Sequence, residues 1–189
     1  MRKSIIAILM TFCLSIMTYA QTPRDRATEL KEQAQSSLNQ KDYIKARYLF
    51  KKAYEAFATR ENYPQAIECG VQANALYVRE NFYKEGFELC RDMEQLLWTG
   101  EQNKKKVFYD LRFLINKERL QMYTALKNPA QAKIQLDKLE EMANLAKNDS
   151  LTEVLLYTKA NYYYTFNQST QGDACFRKLI NQYKEKKDY

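Results

Sequence analysis

In residues 42–53 (DYIKARYLFKKA) a small residue, Ala46, stands four before the aromatic Phe50, and Phe50 stands three before a second small residue, Ala53. Positions three and four apart share one face of a helix, so the segment is a stripe with a narrow place, a ring and another narrow place. The spacing returns downstream in Gly86, Cys90 and Met93, in Ala132, Leu136 and Leu139, and in Gly172, Phe176 and Leu179. The first members of these sets lie 40, 46 and 40 residues apart. Such an interval is too long for one helix and too short for a domain, so each unit reads as a pair of helices.

Composition supports helices throughout. The 189 residues include only 4 Gly and 3 Pro, too few for a sandwich or barrel of many short strands and turns. Hydrophobic residues make up 46%, enough for a core. Each proline stands ahead of a helical pattern: Pro23 before 24–39, Pro64 before 65–79 and Pro129 before 130–147. Proline suits a first turn because the amide it lacks would be unpaired there anyway. Thr22 and Asn128 precede two of them as N-caps, and Asp42 is placed to cap the next helix. Ala34 and Ala46, twelve apart, are small where the first two helices must approach, and Ala160 and Gly172 repeat that step. Gly86 in mid-helix costs about 1 kcal/mol against alanine, a cost that close packing offsets. Thr99-Gly100-Glu101 reads as the clearest loop. Ser150 and Glu153 read as a capping box. Asp149-Ser150-Leu151 also resembles a short O-glycosylation sequon, but the capping role accounts for Ser150.

At these positions the chain resembles the tetratricopeptide-repeat family, whose helical pairs of about 34 residues carry small residues where their helices cross. Ala34, Ala46, Phe50 and Ala53 carry the resemblance, as do Ala160, Tyr163, Gly172, Phe176 and Leu179. Asn74 and Leu120 depart from it, standing where the family has Gly or Ala, and the longer period implies extended helices. The resemblance covers roughly residues 24–184. It implies an all-α fold, a right-handed α-solenoid of about four antiparallel helical hairpins at 23–60, 64–98, 103–147 and 150–184.

It further implies that the first helix of each pair lines a concave groove. That groove would present Lys31, Gln35 and Asn39, then Val71, Ala75 and Arg79, then Lys117, Gln121 and Thr124, then Tyr157, Asn161 and Tyr164. Amide side chains bond a peptide backbone and rings cover its apolar groups, so such a groove suits an extended peptide. Lys31 with Gln35, and Lys117 with Gln121, resemble the Lys and Asn pair of the family's carboxylate-gripping members, with glutamine substituted and the other members missing. The Tyr162-Tyr163-Tyr164 run points its rings about 100° apart, most of them into the core, with Tyr164 the exposed one.

Residues 1–20 stand apart from this pattern. Arg2 and Lys3, an apolar run from Ile5 to Met17, and Thr18-Tyr19-Ala20 make the three parts of a secretory signal peptide. The run is shorter than the roughly 18–20 residues that span a bilayer. Phe12 ahead of Cys13 does not fit a lipid-anchor site. The repeat domain is then 21–189, exported and periplasmic, with no stable membrane insertion after cleavage. The formal net charge is +7, of which Arg2 and Lys3 supply two, leaving +5. The basic runs 104–106 and 184–187 are lysine-rich and read as solvated helix ends, with no nucleic acid implied.

Three cysteines remain beyond the signal, an odd count that leaves at least one thiol unpaired. Cys69 and Cys90 fall on the two helices of one proposed hairpin; they either pair or act as separate buried thiols. The chain has no histidine, which excludes Ser-His-Asp and Cys-His catalysis and the usual zinc sites. No glycine-rich phosphate loop is present, and Glu140 and Glu141 are adjacent on a helix and do not face each other. No enzyme and no cofactor or metal is expected. The reading is an exported scaffold that binds a protein or peptide, in association with an envelope protein. The alternative is the periplasmic sensory module of an envelope regulatory system, responding to a small ligand or partner.

Overall fold

The computed structural model describes residues 25–187. The expected signal segment, with Thr22 and Pro23, lies outside the described residues. Eight helices follow in order: α1 (Arg26–Asn39), α2 (Tyr43–Ala58), α3 (Tyr63–Arg79), α4 (Tyr83–Lys104), α5 (Tyr109–Ala125), α6 (Pro129–Ala146), α7 (Asp149–Thr165) and α8 (Ser169–Lys187). Among the described residues there is no strand, and the fold is all-α.

The helix starts are set by side chains. Asp25 accepts from the Ala27 amide, Asp42 from Lys45, Asn62 from Gln65 and Asn128 from Gln131. Each satisfies an amide that the first turn cannot pair internally. α1 is therefore capped by Asp25. At α7 the capping box is corrected: Asn148 is the N-cap, its Oδ1 accepting from the Ser150 amide at 3.0 Å, and Ser150 sits inside the first turn.

The helix ends break a usual rule. One residue with positive φ stands in each of the seven links, and none is glycine: Lys41, Glu61, Asn81, Lys105, Lys127, Lys147 and Asn167. A non-glycine residue there costs about 1–2 kcal/mol, so the packing on either side must hold the chain to it. The glycines lie within helices instead. Gly100 is one of them, and Thr99-Gly100-Glu101 is not a loop: α4 runs on to Lys104. A β-carbon on Gly100 would lie 2.6 Å from the Tyr63 ring, so glycine is there to let α3's first aromatic lie across α4. The turn falls at Lys105, and α5 begins at Tyr109 rather than at 103, the start expected for the third hairpin.

Each helix packs on the next, and α3 also touches α5, and α5 touches α7, placing the odd-numbered helices in one layer. The chain does not divide into four isolated hairpins, because α2 packs on α3 as extensively as on α1. The described residues form an array of eight helices in adjacent pairs. Ala34, Ala46, Ala132 and Ala160 are fully buried, as the small-residue register requires. Phe50 fills the space beside Ala46; burying such a side chain contributes about 1.5–3 kcal/mol.

Two apolar clusters form the core. The first spans α1–α5 and the second α5–α7. α5 belongs to both, giving Leu111, Ile115 and Met122 to the first and Phe113 and Leu120 to the second. A helix apolar on two faces has to be buried on both. α5 therefore separates the two halves of the core and carries the candidate site along its edge.

Candidate functional site

Between α5 and α7 the odd-helix layer opens into a cleft of about 380 Å³. α5 contributes Lys117, Gln121 and Thr124, four and three residues apart and so on one face. α7 contributes Tyr157 and Asn161, also four apart. Leu120 and Val154 supply apolar wall, and Lys127 closes one end from the left-handed turn after α5. The cleft exists because α5 and α7 touch over a shorter stretch than α3 and α5 do.

Its two charged groups, Lys117 and Lys127, are both cationic donors. Lys117 Nζ lies 3.0 Å from Glu118 Oε1, and that carboxylate is buried behind the wall. Lys127 meets no carboxylate among the described residues, and none lines the cleft. The local field thus favours a ligand that brings negative charge. Thr158 and Thr165 spend their hydroxyl protons on the Val154 and Asn161 carbonyls of their own helix, leaving oxygen lone pairs as acceptors. Tyr157 is 55% exposed and its ring meets Phe176 edge-on at 6.1 Å, so it is steadied on one side only.

The other expected groove residues are not brought here. Lys31 donates to Gln65 Oε1 at 2.8 Å and Glu68 Oε2 at 2.7 Å, joining α1 to α3. Gln35 donates to Asn39 Oδ1 at 3.1 Å, and both remain exposed. Arg79 lies over the Tyr43 ring at 4.0 Å, and Val71 packs against the core. Ala75 is exposed on α3. Tyr164 turns to α8, where its hydroxyl bonds Asp173 and its ring lies against Gly172 and Phe176. The expected continuous groove is thus represented by its third and fourth sets, without Tyr164. Lys127, Val154 and Thr158 were not legible as site residues: Lys127 needed the left-handed turn to aim it, and the other two needed the α5–α7 spacing.

Cys69, Cys90 and Cys175 are free and buried. Burial pushes the Cys69 and Cys90 thiols up to about 12, which keeps them protonated and inert. Among the described residues there is no cluster of metal-ligating side chains, and no helix is long and apolar enough to cross a membrane. Comparisons of the chain with models of protein families, with curated proteins and with solved structures find no match.

Proposed function

We propose that this chain is a helical-repeat binding protein that holds an extended protein segment in the cleft between α5 and α7. The observation that carries the reading is that one cleft gathers two amide side chains, Gln121 and Asn161, an exposed ring, Tyr157, and two ammonium groups, Lys117 and Lys127. Amides pair with a peptide backbone, the ring covers an apolar side chain, and the lysines take an acidic one. On this reading the helices form a right-handed solenoid of the tetratricopeptide type, with the odd-numbered layer on its concave side. The twelve-residue step from Ala34 to Ala46, and from Ala160 to Gly172, supports that assignment. Residues 1–20 act as a secretory signal and the rest works in the bacterial envelope, a reading supported by the layout of that segment alone.

A second reading is a sensory module for a small ligand. It is favoured by the cleft's volume, which falls within the roughly 300–1,000 Å³ of small-molecule sites. Selection from a displayed random-peptide library separates the two. The peptide reading predicts enriched sequences whose affinity falls by roughly tenfold or more when Tyr157 and Asn161 are both changed to alanine. Failure to enrich any sequence, with saturable binding of a peptidoglycan fragment, would transfer the cleft to the second reading.

A further inference from the structure

The exposed face of α4 carries a second surface. Lys84, Glu88, Arg91, Gln95 and Trp98 are spaced four, three, four and three apart, and all five are exposed. Two shallow clefts adjoin along this stripe and share Arg91. One holds Phe87 and Glu88 of α4 with Arg119 and Tyr123 of α5 and has a volume of about 470 Å³. The other holds Glu94, Trp98 and Arg112, with about 320 Å³. Neither shares a residue with the α5–α7 cleft. Arg119 is two positions from Lys117, about 200° around the α5 axis, so this surface meets the other face of the helix.

We infer that this face of α4 docks an acidic protein segment bearing an apolar side chain, with its carboxylates received by Lys84 and Arg91 and its apolar group laid on Trp98. Three observations carry this. Trp98 is the one tryptophan of the chain and stands 55% exposed, whereas tryptophan, tyrosine and arginine are the residues that concentrate binding energy when an interface covers them. The floor is rigid before any partner arrives: Phe87 and Tyr123 pack at 4.8 Å, and Arg119 forks onto Glu94 at 2.5 and 2.7 Å. The charge is unbalanced, with Lys84, Arg91, Arg112 and Arg119 against Glu88, Glu94 and Glu101. Arg112 and Arg119 are committed to Glu101 and Glu94, while Lys84 and Arg91 meet no carboxylate among the described residues. A uniformly anionic surface such as a bilayer would be repelled by exposed Glu88, whereas a short segment can set its carboxylates on either side of it.

The lone tryptophan reports on its own surface. Titration with a synthetic hexapeptide, Glu-Glu-Leu-Glu-Glu-Phe with blocked ends, is expected to shift Trp98 emission saturably at low salt. The effect should weaken as salt is added and be absent for the peptide with glutamine in place of glutamate. Arg91→Glu, an exposed change that leaves the helical circular dichroism intact, should weaken binding by roughly tenfold or more. Emission that stays constant through the titration would overturn the inference, as would an Arg91→Glu protein that binds like the parent. Concentration-dependent dimerisation lost on Trp98→Ala would also overturn it, making a second copy the occupant.

Discussion

Glu118 of α5, 1% exposed, accepts a hydrogen bond from the Asn74 amide of α3 at 3.1 Å. Asn74 is itself fully buried, at a helix crossing where the repeat pattern expects a small residue. Its bulk is offset from across the hairpin: a β-carbon on Gly86 would lie 3.0 Å from Asn74 Oδ1 and 2.7 Å from Met122 Sδ. The departure at Asn74 and the helical glycine twelve residues on are thus one device, which ties α3, α4 and α5 together around a carboxylate.

Asn74→Ala removes a donor from a buried carboxylate and is expected to cost about 1–3 kcal/mol in chemical denaturation. The double change Asn74→Ala with Glu118→Leu should recover much of that loss, because an apolar replacement of a buried polar pair is often neutral or better.

Gly100→Ala forces a methyl against the Tyr63 ring and should cost about 1–3 kcal/mol, read as a lowered Tm. Lys105→Gly, by contrast, frees a left-handed residue and should leave stability unchanged or raise it by up to about 1 kcal/mol. Together the two variants test whether the turn lies at 105 rather than at 100.

Glu101, 8% exposed, sits in the last turn of α4 and caps α5, which has no capping side chain of its own. Its carboxylate accepts from Arg112 and from the Phe108 amide at 3.0 Å, and the Arg112 hydrogen bond is the main cause of its lowered pKa. A carboxyl held below its ordinary value contributes stability that is fully present above that value, 4.5, and is lost as pH falls through the lower folded one. Glu101→Gln should therefore lower stability most at neutral pH, with the gap from the parent closing below about pH 4.5 in an acid titration of the denaturation midpoint.

Cys69 and Cys90 should resist alkylation at pH 8 in the native protein and react once it is unfolded, as followed by mass spectrometry of the labelled peptides. Their burial and raised pKa values both demand this.

Much of the helical order was legible because it follows from spacing. Ala34, Ala46, Ala160 and Gly172 announce their crossings by size, and Asp42 and Asn128 cap the helices they precede. Loops were less legible where glycine marks packing instead of a turn. Gly100 suggested a break that Tyr63 explains otherwise, and the real turn at Lys105 has no glycine or proline to announce it. The site was half legible for a similar reason. The family resemblance put Lys117 with Gln121, and Tyr157 with Asn161, on the groove-lining faces of their helices. Whether those faces meet depends on the approach of two helices some 40 residues apart in sequence. Lys31 and Arg79 lie on comparable faces and are held in contacts with Glu68 and Tyr43.

The most direct test of the central claim is hydrogen–deuterium exchange of the protein with and without a saturating library-selected peptide. Slower exchange confined to residues 117–127 and 154–165 is the predicted result, because a segment seated in the cleft orders both walls and the turn that closes it. Protection spread over α1–α3, or none at all, would contradict the assignment of the cleft as the binding site.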